Sequence, residues 1–171
     1  MRERLYGPPR GGATAPTKPT DCEGDQNMAR YRVTIASPKS AEEVFEYMAM
    51  FSNVTEWDPT AAEAHPIDGN QPEQGARFHV LVRWLGREIP LDYTTTAYER
   101  PKRIVFRAEN STTISEDTIN VKSTGAGCEM TYEAHLTLKG VMRFIDPLFG
   151  LALKRLGNSA ATGLRRELGT G

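Results

Sequence analysis

The sequence has few of the side chains that usually hold metal ions or form disulfides. It contains two cysteines, Cys22 and Cys128, and three histidines among 171 residues. The cysteines do not have C-x-x-C spacing, and the histidines are not spaced as zinc ligands usually are. The sequence therefore predicts no metal site, and we expect both cysteines to be free thiols in a reducing cytoplasm.

The chain also lacks an excess of charge and a long apolar segment. Its 21 basic and 22 acidic residues leave a net charge of -1, so no overall positive field would attract nucleic acid or an anionic membrane. Its apolar runs are much shorter than the roughly 20 residues that cross a bilayer. We therefore expect no nucleic-acid partner and no stable membrane insertion, and the oligomeric state stays open.

The motifs of several large enzyme classes are missing. There is no G-x-S-x-G elbow, phosphate-binding loop or dinucleotide glycine fingerprint. His79 and His135 fall on outward-facing positions of predicted strands, and His65 falls in a predicted loop before Pro66. None of them has a partner spaced as in a nucleophile, base and orienting group. Hydrolase, kinase and oxidoreductase functions are unsupported, and no cofactor is predicted.

Large apolar side chains are scarce in residues 1–27, where only Leu5 and Tyr6 follow Met1. Such a segment cannot bury enough apolar surface to offset the entropy lost on ordering. We predict a disordered tail over 1–27 and one domain over 28–171, which is long enough for a single core. The abrupt start of a strand pattern indicates that translation of the functional protein begins at Met28, and the alternative is a flexible arm with a partner.

A strand and a helix open the predicted domain. Tyr31–Ser37 is the strand, and Pro38 suits the first position of the following helix because that position needs no N–H. A further helical turn over 53–57 ends at Asp58-Pro59. The predicted buried stripe of the first helix recurs at helical spacing and comprises Val44, Phe45, Met48 and Phe51.

A two-residue turn at Leu85-Gly86 predicts the register of a hairpin. The residues on either side alternate between apolar and polar side chains, as in half-buried strands. A slip of one residue would separate Ile89 from Val82 onto opposite faces, so the pattern resists it. The predicted opposing pairs are Trp84 with Arg87, Val82 with Ile89, Val80 with Leu91, and Phe78 with Tyr93.

Three more strands are predicted after a turn at 99–102. The first continues the apolar face, the second, over 112–121, is more polar, and a loop over 123–127 precedes the third. This alternation is typical of an antiparallel sheet with one buried face. The apolar positions are Ile104, Phe106 and Ala108 in the first strand and Met130, Tyr132, Ala134, Leu136 and Leu138 in the third.

The apolar period becomes helical from Asp146, which is the predicted N-cap, with Pro147 at the first position. Glycine destabilises a helix by about 0.5 to 1 kcal/mol relative to alanine. The small residues of this helix therefore either allow close packing against the sheet or leave space for a ligand. Its stripe comprises Phe149, Leu153, Leu156, Ala160, Leu164 and Leu168, and its small residues are Gly150, Gly157, Ala160, Ala161 and Gly163.

In this order, the elements resemble those of the START-like, or birch-pollen-allergen-like, superfamily and in particular its polyketide cyclase/dehydrase-type members. The resemblance implies an α+β helix-grip fold, in which a curved antiparallel β-sheet wraps around a long C-terminal α-helix with an apolar cavity between them. The superfamily includes polyketide cyclases, lipid and sterol carriers and quinone-binding proteins, so a fold is implied more sharply than an activity. The resemblance covers about residues 30–168, and its motifs are Val44-Phe45, Trp57-Asp58-Pro59, Arg77-Phe78, Leu85-Gly86-Arg87, Ser115–Ile119 and Thr131–Ala134.

Polar side chains on the predicted apolar face are the candidates for chemistry. Tyr93, Tyr132 and Asp117 are the plausible proton movers, and Thr95 shares their face. Alternatively, the tyrosines are hydrogen-bonded core residues, and Asp117 is paired with Arg87 or exposed at a strand end.

The predicted ligand-binding residues are those that the implied cavity would expose. Trp57 either caps the core or flanks a ring-shaped ligand, since apolar pockets commonly have aromatic walls. The complete set is Trp57, Phe78, Val80, Val82, Trp84, Ile89, Leu91, Tyr93, Phe106, Tyr132, Leu153, Gly157 and Ala160.

Three functions are compatible with these residues. The leading hypothesis is binding or transfer of a hydrophobic small molecule, such as a lipid, an isoprenoid or a polyketide-like ring system, in the internal cavity. The first alternative is a polyketide cyclase, aromatase or dehydratase that uses the cavity tyrosines or Asp117 to move protons. The second is a regulatory protein-interaction domain, indicated by the tail and by Arg165-Arg166, although those arginines also suit the negative end of the helix dipole.

Overall fold

The computed structural model describes residues 28–69, 71–84, 86–140 and 148–169, with the backbone alone for 148–153. The predicted tail over 1–27 and the predicted helix cap at Asp146-Pro147 lie outside these residues. The described strands are β1 (Met28–Ser37), β2 (Ala61–Pro66), β3 (Arg77–Trp84), β4 (Arg87–Glu99), β5 (Arg103–Glu109), β6 (Thr113–Thr124) and β7 (Gly127–Leu138). The described helices are α1 (Ala41–Ala49), α2 (Val54–Trp57) and α3 (Leu148–Glu167), and a 3₁₀ turn at Phe51–Asn53 joins α1 to α2.

The strands form one antiparallel sheet in the order β1-β7-β6-β5-β4-β3-β2. The register shifts between Ala61 and Glu63 in β2 and between Thr95 and Ala97 in β4. Such bulges bend a strand and increase its local twist. The sheet is curled, and together with the C-terminal helix α3 it confirms the predicted α+β helix-grip fold.

The predicted hairpin register between β3 and β4 is confirmed. Trp84 lies opposite Arg87, and Phe78 lies opposite Tyr93. Phe78, Val80, Leu91 and Tyr93 are all buried, so the alternation in the sequence identified the inward face of both strands.

The predicted helix start at Pro38 is wrong, because α1 begins at Ala41. The Ser40 hydroxyl accepts a hydrogen bond from the Glu43 backbone N–H, and the Glu43 carboxylate accepts one from the Ser40 backbone N–H. This reciprocal capping box satisfies two N–H groups that would otherwise lack partners at the helix start. The predicted stripe of α1 is buried as expected, at Val44, Phe45, Met48 and Phe51.

The strand β2 is not apparent from the sequence, and His65 lies in this strand rather than in a loop. His65 is opposite His79 at the edge of the sheet. Alanine and proline are uncommon in strands, and they obscure the pattern of Ala61–Pro66. The predicted loop over 123–127 is also shorter in the structure, because β6 reaches Thr124 and β7 begins at Gly127.

The core lies between the inner face of the sheet, the segment from α1 to α2, and the C-terminal half of α3. Phe51 stacks on Phe106 with ring centroids 4.1 Å apart and meets Tyr93 edge-on at 4.8 Å. From α3, Leu164 and Leu168 are fully buried, whereas the side chains of Phe149 and Leu153 lie outside the described residues. Helix α3 contacts β1 and α2.

Candidate functional site

A cavity of about 140 Å³ lies between the sheet and α3. Its walls come from β1, β3, β4, β6, β7 and α3 and from the chain around α2. The lining is largely apolar and comprises Tyr31, Phe51, Val54, Asp58, Thr60, Ala61, Val80, Val82, Trp84, Leu91, Tyr93, Ser115, Asp117, Tyr132, Ala134, Leu136, Leu156, Gly157 and Ala160.

A hydrogen-bonded polar group of side chains interrupts this apolar wall. The Tyr132 hydroxyl donates to Asp117 Oδ1 at 2.6 Å, and the Tyr93 hydroxyl donates to Ser115 Oγ at 3.0 Å. Asp117 is only 4% exposed, and Ser115, Tyr93 and Tyr132 are also buried. We refer to Tyr93, Ser115, Asp117 and Tyr132 together as the polar cluster.

The register of the sheet brings the polar cluster together. Ser115 and Asp117 are two residues apart on β6, so their side chains share one face. Asp117 is opposite Ala134 on β7, and Tyr132 is its diagonal neighbour on the same face. On the other side, Ala108 of β5 is paired with both Tyr93 and Ser115, and its small side chain leaves room for the Tyr93 hydroxyl to reach across β5.

Burial sets the electrostatics of the polar cluster. It raises the pKa of Asp117 to about 6, with a further increase from the Asp58 carboxyl, while the hydrogen bond from Tyr132 opposes the increase. Burial also raises the pKa values of Tyr132 and Tyr93 well above the ordinary value of 10.0, and the nearby charge of Asp117 adds to the effect. The phenols therefore stay protonated at neutral pH, whereas Asp117 titrates close to it.

Asp58 and Thr60 are cavity residues that the sequence did not identify. Asp58 Oδ1 accepts hydrogen bonds from the Thr60 backbone N–H at 2.8 Å and from the Thr60 hydroxyl at 2.7 Å. Burial raises the pKa of Asp58, and the hydrogen bonds from Thr60 act against that increase. The signal for this pair was the sequence Asp58-Pro59-Thr60 directly after α2, since an aspartate often accepts from the backbone two residues on.

The proposed proton movers Tyr93, Tyr132 and Asp117 are brought together, but the pairing considered for Asp117 is wrong. Arg87 is exposed beside the β3–β4 turn and does not line the cavity. Asp117 is buried in the middle of β6 and accepts from Tyr132 instead. Thr95 is buried as predicted, but it does not line the cavity, and its hydroxyl has no hydrogen-bond partner among the described residues.

The predicted ligand-binding residues fall into three groups. Trp57, Phe78, Ile89 and Phe106 do not line the cavity, and the side chain of Leu153 lies outside the described residues. Trp57 is 3% exposed and packs edge-on against Tyr132 with ring centroids 5.4 Å apart, so it supports the cluster from behind. The residues that do line the cavity are Val80, Val82, Trp84, Leu91, Tyr93, Tyr132, Gly157 and Ala160.

The glycines of α3 allow close packing. A Cβ on Gly163 would overlap the backbone carbonyl of Trp57, and a Cβ on Gly157 would overlap the ring of Tyr31. Gly157 also lines the cavity, so at this position close packing and space in the cavity coincide. Of the two explanations considered for the small residues, close packing accounts for Gly163 by itself.

Two further searches of the described residues returned nothing. No group of three or more potential metal ligands is close enough to hold an ion in the described part of the chain. Among the described helices, none combines the length and the apolar character needed to cross a membrane.

Solved structures show the same fold at low sequence identity. A START superfamily protein from Mycobacterium smegmatis superposes with a TM-score of 0.63 at 13% identity, covering 82% of this chain and 96% of that one. The major latex-like protein 151 from Panax ginseng gives 0.61 at 10% identity, covering 82% and 97%. A hypothetical protein from Helicobacter pylori gives 0.62 at 12% identity, covering 93% and 99%.

Sequence comparison supplies the family. None of the curated proteins matches this chain. A family model described as polyketide cyclase / dehydrase and lipid transport matches residues 28–169, which include every element from β1 to α3. The chain therefore belongs to the polyketide cyclase/dehydrase and lipid transport family, within the START-like superfamily.

Proposed function

We propose that the cavity binds a small, mainly apolar molecule and orients it by one polar group placed at the polar cluster. The observation that carries this proposal is a largely apolar cavity with a few buried, convergent polar groups, which is the usual form of a small-molecule site. Family membership supports it, because both descriptions of the family concern small organic molecules.

The size of the cavity limits the ligand. Apolar cavities of roughly 150 Å³ accept a molecule as large as benzene, and the cavity here measures about 140 Å³. One ring, or a short stretch of a lipid or isoprenoid chain, fits that volume. A longer ligand would extend beyond the described walls or displace them.

The first experiment is mass spectrometry of small molecules extracted from the protein purified from its native host. We expect a stoichiometric apolar compound. The same protein is then titrated with toluene by ligand-observed NMR, and Ala160→Leu should abolish binding because Ala160 lines the cavity and is 3% exposed.

The matched control is Ser159→Leu, which adds the same side chain on the exposed side of α3. It should bind toluene as the unchanged protein does. Equal loss of binding in both variants, or no binding by the unchanged protein, would count against an internal site.

A second candidate function is a cyclase or dehydratase, and a specific observation favours it. Asp117 has a pKa of about 6 and lies 2.6 Å from the Tyr132 hydroxyl inside the cavity. General acid–base groups work best when their pKa lies near the working pH, and they contribute about 10²- to 10⁴-fold to the rate. Asp117 would accept or deliver the proton, and Tyr132 would hold its carboxylate in place.

Turnover of a poly-β-ketone substrate tests this second function. Asp117→Asn should reduce kcat by about 10²-fold or more, and Tyr132→Phe should shift the acidic limb of the pH–rate profile upwards, because the hydrogen bond that lowers the pKa of Asp117 is lost. If Asp117→Asn, Tyr132→Phe and Tyr93→Phe all keep full activity, the catalytic assignment is wrong.

A further inference from the structure

The charges that face the cavity have one sign. Asp58 and Asp117 both line it, and no lysine, arginine or histidine is found among the described lining residues. A ligand carboxylate placed at the polar cluster would therefore lose its hydration and meet like charge without a cation to compensate.

The hydroxyl groups of the cavity offer mainly acceptors. Tyr132 donates its hydroxyl proton to Asp117, Tyr93 donates to Ser115, and Thr60 donates to Asp58. A hydroxyl has one proton to donate and two lone pairs to accept with. What these groups leave for a ligand is therefore lone pairs rather than donors.

The basic residues nearest to the cavity lie in a different place. Tyr31 lines the cavity and also a separate groove between β1 and α3, whose cationic residues are Arg30, Arg32, Lys154 and Arg165. Arg32 is paired with Glu133 at 3.4 Å. The groove and the polar cluster therefore present opposite charges on the two sides of the Tyr31 ring.

We infer that the polar group of the ligand is a hydrogen-bond donor without negative charge, namely an alcohol, a phenol or an ammonium group, and that carboxylates are discriminated against. This inference rests on the proposed function, because it concerns the same cavity. It excludes free fatty acids and other aromatic or aliphatic acids as preferred ligands, and it favours alcohols, phenols and amines of the same skeleton.

The state of Asp117 at neutral pH supports the inference. Its carboxyl ionises with a pKa of about 6, so above about pH 7 most molecules carry a buried negative charge. The groups facing this carboxyl are Tyr132 from β7, Tyr93 from β4, Ser115 from β6, and Asp58 after α2. None of these four carries a positive charge that would neutralise it.

A matched series of single-ring compounds tests the inference on the unchanged protein. Toluene, benzyl alcohol, benzylammonium and benzoate have the same ring and nearly the same size, and their dissociation constants are measured by NMR titration at about pH 7.5. We expect benzyl alcohol and benzylammonium to bind at least about tenfold more tightly than benzoate, since charges that are close and poorly screened interact strongly. A smaller ratio overturns the inference.

The outcomes separate this inference from the proposed function. Toluene binding that is lost in Ala160→Leu, together with benzoate binding as tight as that of benzyl alcohol, would leave the apolar cavity established and overturn the inference. That result would place the ligand charge at the groove of Arg30 and Arg165. If no member of the series binds, the proposed function and the inference both fail.

Two variants check that Asp117 is responsible. Asp117→Asn keeps the shape of the side chain and removes its charge, so the ratio between benzyl alcohol and benzoate should fall. Asp92→Asn makes the same chemical change at an exposed residue of β4, and it should leave the ratio unchanged. An unchanged ratio in Asp117→Asn, or an equal fall in both, would contradict the assignment to Asp117.

Discussion

Asp117 has the most demanding surroundings of any carboxyl in the described chain. It is buried among three hydroxyl groups and near a second carboxyl. Burial favours the protonated form, while hydrogen bonds from hydroxyls favour the ionised form. The two effects leave its pKa at about 6, which makes both ligand binding and stability sensitive to pH near neutrality.

The first prediction concerns stability and pH. Because the pKa of Asp117 in the folded protein, about 6, lies above the ordinary 3.8, the folded protein binds this proton more tightly than the unfolded chain does. The resulting stabilisation is complete below about pH 4 and is lost as the pH rises through 6, and it amounts to roughly 3 kcal/mol. Urea titrations should therefore show the free energy of unfolding falling between about pH 4.5 and 7.5.

Asp117→Asn should show a smaller fall, with a remainder from Asp58, whose pKa is shifted in the same direction. At about pH 7.5 it should be at least as stable as the unchanged protein, since the buried charge is gone. Asp92→Asn should keep the full pH dependence, because Asp92 is exposed. Identical pH dependence in Asp117→Asn and the unchanged protein would refute this account of Asp117.

The second prediction compares the two tyrosines of the polar cluster. Tyr132→Phe removes a 2.6 Å hydrogen bond to a carboxyl and should reduce the free energy of unfolding by about 1.5 to 3 kcal/mol at neutral pH. Tyr93→Phe removes a 3.0 Å bond to a neutral hydroxyl and should cost about 0.5 to 1.5 kcal/mol.

Tyr98→Phe is the control for this pair. Its ring packs edge-on against Phe45, and no hydrogen bond of its hydroxyl is found among the described residues. Urea denaturation should show little change for this variant. A loss in Tyr93→Phe that equals or exceeds the loss in Tyr132→Phe would show that the charge of Asp117 does not strengthen its bond.

At the scale of secondary-structure elements, α3 is shaped by the chain that it packs against. A glycine in the middle of a helix is normally unfavourable, yet Gly163 permits the helix to approach the backbone of Trp57. A backbone atom cannot rotate away as a side chain can. The contact therefore fixes the distance between α3 and the end of α2.

The third prediction follows from this contact. Gly163→Ala should destabilise the protein by about 1 to 3 kcal/mol through overpacking, although alanine is the better helix former. Ser159→Ala, on the exposed side of the same helix, should be neutral or slightly stabilising. Thermal unfolding of both variants measures the difference, and a more stable Gly163→Ala protein would show that α3 can move away from α2.

At the scale of the whole molecule, the described strands from β1 onwards form one continuous sheet. Met28 is already paired with Thr137 of β7, and this pairing continues to Ser37 opposite Cys128. The N-terminal residues 1–27 have a composition that predicts no core of their own. We therefore propose that the folding unit starts at Met28.

The fourth prediction tests this boundary. A chain starting at Met28 should have the same free energy of unfolding as the full chain to within about 0.5 kcal/mol, as expected for changes outside a packed region. A chain starting at Val33 should be much less stable, because it loses the first half of β1 and its pairs on β7. A clear loss of stability in the chain starting at Met28 would assign a structural role to residues 1–27.

Local patterns were sufficient to predict most of the sheet. Side chains alternate between the two faces of a strand with a period of two, so Phe78, Val80, Leu91 and Tyr93 could be assigned to the inner face from their spacing. Ser40 was overlooked because Pro38 is also a good helix start. The strand β2 was missed because its alanines have little preference for strands.

The membership of the cavity depends on contacts between distant parts of the chain. Spacing placed Tyr93, Asp117 and Tyr132 on one face, but it could not show that Tyr132 rather than Arg87 meets Asp117, because the diagonal neighbour depends on the register of β6 and β7. Asp58 is brought to the same cavity by the packing of α2 under α3. Alternation along a strand is a local property and can be seen in the sequence, whereas the curl of the sheet and the approach of α3 result from packing over the whole domain.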